Sequence, residues 1–378
     1  MKVKELRTYI VSQELREGSF CYSQAWYNKR TIMLLEIITD DGISGWGESF
    51  GNAYVNKAII DNVYAPLVTG ENIFHTERIW DMMYNATRDN GQKGSPIEAL
   101  SAVDIALWDL KGQYLDMPAH SLMGGHRRER VIPYATGLYR RKSDSMLKEL
   151  IDEAVSYAQQ GFKGIKIKIG FGIEDDIGTV KEIRKNVGDG IKLMVDANHA
   201  YNASTAIKLS RSLEAFDITW FEEPVPPEDI DGYIEVKSKT NIPVAGGEAE
   251  YTRYGFRHLL SRRAVDIVQP DCGVTGGISE FMKIAVMAAI HNIQCYPHIW
   301  GSSVALRSGM HCAFALPNYP DSLTPGDVYL ELDRTPNIFR EELSAGCYEI
   351  KDGYIYLPEE KGLGLNIDRK LIEKYEVK

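Results

Sequence analysis

Residues 164–170 read GIKIKIG, with the stretch MLKELIDEAVSYAQQ (146–160) before them and DDIGTVKEIRKNV (175–187) after. Side chains alternate along extended chain, so Lys166 and Lys168 share one face of this segment, and Ile165, Ile167 and Ile169 share the other. On an edge strand such a lysine face would simply be solvated. Here both neighbours carry apolar residues at three- and four-residue intervals, the mark of amphipathic helices. A strand between two crossover helices is buried on both faces, so the lysines must point into the interior of the sheet. Buried ammonium groups are costly unless paired or used.

The same rhythm extends outward in both directions. Strand-like runs recur at 131–136, 192–198, 218–224, 242–248, 265–271 and 293–298, with an eighth at 328–333; helix-like runs lie at 203–216, 254–263 and 277–292. Crossovers of this length make successive strands parallel. Seven or eight such units favour a closed (β/α) barrel over an open doubly wound sheet. Before the barrel, 2–11 and 31–49 read as an antiparallel meander with a hairpin turn at Asp40-Asp41-Gly42, and the stretch from Asn56 to Gly125 reads as helical, which together make an α+β unit. The tail 347–368 (CYEIKDGYIYLPEEKGLGLNID) reads as antiparallel strands returning to that first unit.

Composition narrows the class of partner. With 44% hydrophobic and 25% charged residues in 378, the chain has room for one large and one smaller core. A formal net charge of -10 opposes general attraction to nucleic acid or anionic membranes, so an anionic substrate needs a locally positive site. The cysteines, Cys21, Cys272, Cys295, Cys312 and Cys347, are odd in number and lack zinc spacing, which suits a reducing cytoplasm. No signal-peptide core and no apolar run of membrane-spanning length is present in the sequence. The glycine-rich stretches GISGWGE and GVTGG are weak signals: the first opens no helix after a parallel strand, and a dinucleotide fold is unsupported.

Polar residues recur where each barrel strand ends: Lys168, Asp196, Glu222, Glu248, Asp271 and His298, spaced 23 to 28 residues apart. One βα unit separates each from the next, so a linear list becomes a ring at the C-terminal rim, where barrel active sites form. Asp196, Glu222 and Glu248 stand on consecutive strands. Three clustered anions repel unless a cation sits among them, and oxygen-only donors suit Mg²⁺ or Mn²⁺ better than zinc. Lys168, nearer the rim, is assigned proton transfer, with its pKa lowered by a nearby cation and a second lysine; Lys166 is assigned carboxylate orientation. Asp271 and His298 form an acid–imidazole dyad in which the carboxylate fixes the tautomer. Asn198 and Glu331 are candidate hydrogen-bonding partners of the substrate.

In order and spacing, GWGE (45–48), SAVDIALWDLKGQ (101–113), Lys166-Ile167-Lys168, VDAN (195–198), FEEP (221–224), GGE (246–248), QPD (269–271) and PHIWG (297–301) resemble the enolase superfamily, and within it the mandelate racemase subgroup, over essentially the whole chain. The resemblance implies an α+β capping domain (1–127), a modified (β/α)7β TIM-like barrel (128–345) and a C-terminal segment (346–378) that packs back on the cap. It implies one Mg²⁺ on Asp196, Glu222 and Glu248, with Lys168 and the His298/Asp271 dyad on opposite faces of the substrate. It also places His199 of DANHAY (196–201), with Asp89, Gln92 and Lys93 of YNATRDNGQKG (84–94), near the substrate, and closes the loop 18–30 over it. The polar cap residues suit a polyol. The implied activity is abstraction of the proton alpha to a carboxylate of an acid sugar or its lactone, then β-elimination that opens the lactone (cycloisomerisation). Dehydration of an acid sugar and racemisation share the first step. A homo-oligomer, dimer or octamer, is implied as well. Two competing readings are a sugar-acid binding protein, with no proton exchange for Lys168→Ala to abolish, and a metal-dependent aldolase, with pyruvate or an aldehyde among its products.

Overall fold

A computed structural model of the chain describes residues 1–15, 18–318 and 326–377. The first unit is a three-stranded antiparallel sheet, β1 (Val3–Glu14), β2 (Lys29–Thr39) and β3 (Ser44–Ser49), in that order. The turn at 40–42 closes β2 on β3 as the sequence suggests, with Gly42 at φ 81°. Against this sheet lies the long helix Ser95–Leu115, almost wholly buried. Its approach explains two glycines of GWGE: a Cβ on Gly47 would collide with the Ala102 carbonyl oxygen, and one on Gly45 would lie 2.5 Å from that of Ala106. Only glycine permits strand and helix backbones this close.

The second unit is a sheet of eight parallel strands: β4 (Arg130–Gly137), β5 (Gly164–Lys168), β6 (Lys192–Asp196), β7 (Ile218–Glu222), β8 (Val244–Gly246), β9 (Ile267–Val268), β10 (Gln294–Cys295) and β11 (Tyr329–Asp333). Their order is β10-β9-β8-β7-β6-β5-β4-β11, so the last strand returns beside the first and the sheet curls as a TIM-like (β/α)7β barrel. Two of the intervening helices are absent from the sequence reading. Ser303–Ala315 is buried on nearly every side and so has no polar face to mark a period; Ile230–Lys237 is only eight residues long and contains Gly232.

The tail departs from expectation. Its one short strand, Ile355–Tyr356, pairs with β4 of the barrel and not with the first unit. Only beyond it does the chain reach the first sheet, where the helix Arg369–Tyr375 ends in a bridge between Glu376 and Val11 and Arg369 pairs with Glu36. Polar pins also reach across: Asp104 accepts from the Ser279 backbone N–H at 2.9 Å, and Asp109, which ties the long helix to β3 through the Trp46 N–H (2.9 Å), accepts from the Leu363 N–H of the tail at 2.8 Å. Among the described residues no helix is long and apolar enough to cross a membrane.

Candidate active site

Register builds the site. Lys168 lies opposite Asp196 in the β5–β6 pair, and Asp196 opposite Glu222 in β6–β7, so three charged side chains form a row across three strands. Lys168 Nζ donates to Asp196 Oδ2 at 2.5 Å and to Asn198 Oδ1 at 3.1 Å. One layer deeper, Lys166 Nζ is wholly enclosed between Glu222 Oε1 (2.5 Å) and Glu331 Oε1 (2.8 Å). Trp220 Nε1 and Gln269 Nε2 both donate to Glu222 Oε2, at 2.9 and 2.8 Å, which fixes that carboxylate's orientation. At the other end of the arc, His298 Nδ1 meets Asp271 Oδ2 at 2.7 Å, while Asp271 Oδ1 accepts from the Gly273 N–H at 2.6 Å. His298 Nε2 is thereby turned toward Glu248 and Glu331, 3.6 and 4.0 Å from their Oε2 atoms.

The charges set each other's protonation. Burial works to lower the Lys168 pKa, but Asp196 beside it outweighs burial and holds the ammonium charged, above its usual range. The lowered value expected from the sequence rests on a bound cation, which would draw on the Asp196 charge that here raises it. Burial likewise opposes the charge on His298, and Glu248, Glu331 and Asp271 together overcome it, raising the imidazole to about 10. The Glu248 carboxyl is pushed up to about 7, first by burial and then by Asp196 and Glu222. Asp196, Glu222 and Glu248 each present one oxygen, all within 4.8 Å of one another, and Glu248 Oε2 is buried with no hydrogen-bond donor. An orphaned carboxylate oxygen beside two more hard donors fits a divalent cation.

Comparison with known proteins agrees with this geometry. Residues 6–124 match the family described as mandelate racemase / muconate lactonizing enzyme, N-terminal domain, and residues 149–371 match the enolase C-terminal domain-like family. The chain belongs to the enolase superfamily. A D-galactarolactone cycloisomerase of Agrobacterium fabrum is 38% identical, covering 100% of this chain and 99% of its own. An arabinonate dehydratase of Saccharolobus solfataricus is 36% identical over 100% of both chains. Among solved structures, the 3,6-anhydro-D-galactonate cycloisomerase of Zobellia galactanivorans superposes with a TM-score of 0.91 at 39% identity, covering 100% of each chain. A racemase of Streptomyces coelicolor, solved with bound magnesium, superposes with a TM-score of 0.89 at 26% identity, covering 99% of this chain and 100% of that one.

In this enolase-superfamily enzyme a cavity of about 210 Å³ opens above the row of charges, bordered by Lys168, Asn198, His199, Glu248, His298 and Glu331. Lys166, assigned from sequence to hold the substrate carboxylate, does not border it and is committed to Glu222 and Glu331. Gln92 and Lys93 do not border it either: both are exposed, and Lys93 pairs with Glu250 at 2.6 Å. Asp89, placed near the substrate by resemblance, is likewise exposed. In their stead the cap side is aromatic, formed by Tyr22, Tyr27, Phe50, Tyr139 and Trp300. Tyr22 and Tyr27 belong to the loop 18–30 and Trp300 to the motif PHIWG, which carried no role for it; Phe50 and Tyr139 carry no signal in the sequence. A fourth carboxylate was also missed. Glu223 is buried, and burial followed by Glu248, Asp196 and Glu222 raises its pKa far above the usual range.

Proposed function

We propose that this enzyme removes the proton alpha to the carboxylate of an acid sugar or its lactone and then eliminates the β-oxygen, with lactone opening as the favoured outcome. One observation carries the reading: Lys168 and His298 border the same cavity, and in strand order they flank the three carboxylates. Two proton-transfer groups beside one carbon serve any reaction in which a proton leaves and another group departs or returns.

In this reading Asp196, Glu222 and Glu248 hold Mg²⁺, with Mn²⁺ as substitute. When bound, the cation supplies electrophilic stabilisation for the negative charge that grows on the substrate carboxylate, without which an alpha proton is too weakly acidic for lysine or imidazole. Lys168 or His298 takes the alpha proton. The freed electron pair forms the Cα–Cβ double bond as the Cβ–O bond breaks, and the ring oxygen departs with its pair as a carboxylate. The resulting enol regains a proton at Cβ and becomes a keto acid, an isomer of the starting lactone. Asp271 keeps the accepting nitrogen of His298 toward the cavity. Asn198 and Glu331 hold Lys168 and Lys166 and are placed to meet substrate hydroxyls, as is His199. Lys166 steadies Glu222 and Glu331.

A second reading rests on the 36% identity to the arabinonate dehydratase. There the leaving oxygen is a hydroxyl, which departs as water. Both readings are tested by incubating acid sugars and their lactones with the enzyme and Mg²⁺ in D₂O, followed by NMR. Expected is a keto acid that carries deuterium at the former Cβ, next to the new ketone, and loss of that product in Lys168→Ala. Deuterium without conversion indicates racemisation or epimerisation. The absence of exchange and product from every acid and lactone would overturn the proposal.

A further inference from the structure

Resting on that reading of Lys168 as a proton-transfer group, we propose that Ser23 and Gln24 are positioning residues: from the loop 18–30 they hold the turn after β6 and, through Asn198, aim Lys168 at the substrate.

The turn after β6 is strained. Asn198 and His199 are consecutive non-glycine residues in the left-handed region, at φ 43° and 54°. Such a backbone persists only where its surroundings impose it. On the barrel side its N–H groups find acceptors: Asn198 donates to Asp196 Oδ1 (2.8 Å), His199 to the Glu223 carbonyl (2.8 Å) and Ala200 to that of Ala197 (3.2 Å). On the other side the loop 18–30 binds its carbonyls. Ser23 Oγ donates to the Ala197 oxygen at 2.8 Å, and Gln24 Nε2 to the Asn198 oxygen at 3.1 Å. The approach is close enough to demand glycine at a third segment: a Cβ on Gly170, two residues beyond Lys168, would lie 2.7 Å from the Ser23 Cβ and 2.9 Å from the Ala197 oxygen. The loop therefore meets the turns that follow both Lys168 and Asp196 at one point.

This latch acts on one side of the cavity. Lys168 Nζ has two acceptors, Asp196 Oδ2 below it and Asn198 Oδ1 at 3.1 Å. Asp196 draws the amine toward the cation site, whereas Asn198, which borders the cavity, holds it out toward the substrate. The loop's backbone also pairs with the turn after β4, where Cys21 and Arg140 exchange hydrogen bonds of 2.8 and 3.1 Å, and Arg140 in turn pairs with Asp175 at 2.6 Å. Among the described residues, 20–28 make no hydrogen bond to the segments 269–273 and 296–300, which carry Asp271 and His298; Tyr27 meets Trp300 there only ring to ring, at 4.9 Å. The loop thus aligns one of the two proton-transfer groups and leaves the other to Asp271.

The test removes the latch from the full-length enzyme, with Mg²⁺ present, by combining Ser23→Ala with Gln24→Leu. Neither side chain borders the cavity, and Gln24 is exposed, so the fold and the wall should survive. The 1,4-lactone of galactaric acid and arabinonate serve as probes, followed by NMR. Expected is a fall in kcat of at least about tenfold with KM within about threefold, because alignment is lost and binding is not. In an Asn198→Ala background the same pair should cost less than about twofold more, since the contact through which it acts is already gone. Unchanged kcat, a change confined to KM, or equal losses in both backgrounds overturns the proposal. Amide hydrogen exchange read by mass spectrometry needs no turnover. The N–H groups of Asn198, His199 and Ala200 should exchange at least about tenfold faster in the double variant, while those of Tyr296 and His298, bonded to the Val268 and Pro270 carbonyls, keep the parent rate. Unchanged exchange at 198–200, or equal acceleration at both places, also overturns it. Faster exchange at 198–200 in an enzyme that turns over neither probe would count against the proposed reaction and leave the latch standing; turnover without that acceleration would do the reverse.

Discussion

Asp271→Asn isolates the part of the site that the proposed chemistry needs most and the fold needs least. In the parent, Asp271 Oδ2 accepts from His298 Nδ1 at 2.7 Å while Oδ1 accepts from the Gly273 N–H at 2.6 Å, so in the neutral ring Nε2 is the nitrogen that takes a proton. Asparagine has one acceptor oxygen. If that oxygen stays on Gly273, the amide NH₂ faces Nδ1, which must become an acceptor, and the ring proton moves to Nε2. The imidazole then presents a donor where a base is required. If the amide flips, two donors meet at Gly273 and a buried N–H loses its partner. Either arrangement forfeits a charged hydrogen bond worth about 1.5–3 kcal/mol. Well-placed acid–base catalysis contributes about 10²–10⁴-fold, or about 2.7–5.4 kcal/mol of barrier, and kcat should fall by that factor. KM should change little, because Asp271 does not border the cavity. Steady-state kinetics beside deuterium wash-in in D₂O also separates the two bases: exchange that survives in Asp271→Asn assigns the first step to Lys168. A variant with kcat within about threefold of the parent would show that the dyad is structural, and the assignment of His298 would fall with it.

Glu48→Gln probes the joint between the two units. Glu48 accepts from the Ser302 N–H at 3.0 Å and the Ala305 N–H at 3.1 Å, and burial, partly offset by these bonds, raises its pKa to about 7. A carboxyl whose folded pKa lies above its unfolded value of 4.5 stabilises the fold below pH 4.5 and loses that contribution as pH rises through 7. The stability gap between parent and Glu48→Gln, measured by urea unfolding, should therefore shrink by about 2–3 kcal/mol from pH 5 to pH 8; a gap that widens refutes the assignment. Glu248→Gln should weaken Mn²⁺ binding, followed by electron paramagnetic resonance, by at least about 100-fold, beyond what loss of a group that merely orients a ligand causes. Unaltered Mn²⁺ affinity in that variant would remove Glu248 from the cation site.

How far the sequence exposed this site depends on which residues are tied to a repeat. Lys168, Asp196, Glu222, Glu248, Asp271 and His298 were legible because a barrel turns each βα unit into one angular step, so spacing along the chain stands in for position around the rim. Lys166 was legible only in direction. Alternation turns it inward, but that Glu222 and Glu331 enclose it depends on strands 56 and 165 residues away along the numbering. Glu223 defeated alternation itself: β7 ends at Glu222, and Glu223 takes φ 43°, outside the extended region in which successive side chains face opposite ways. Gln92 and Lys93 came from resemblance, and resemblance cannot see that Lys93 is drawn to Glu250.

The aromatic side of the cavity was legible only as the loop 18–30, and its individual rings were not, for a reason that bears on how the enzyme discriminates. Tyr22, Phe50, Tyr139 and Trp300 come from four separate loops with no common period, whereas five of the six rim residues end, or lie within three residues of, strands held by parallel ladders on both sides. Groups on rigid strands keep the sub-ångström placement that proton transfer demands, and groups on loops tolerate substitution. Chemistry and selectivity are thus carried by different parts of the chain. The connection between them is Glu48, which holds Ser302, the cap of the helix Ser303–Ala315, four residues beyond His298 and two beyond Trp300. A loosened Glu48 contact should shift His298 and Trp300 together, so Glu48→Gln is expected to lower kcat and raise KM at once, while Asp271→Asn alters only the first.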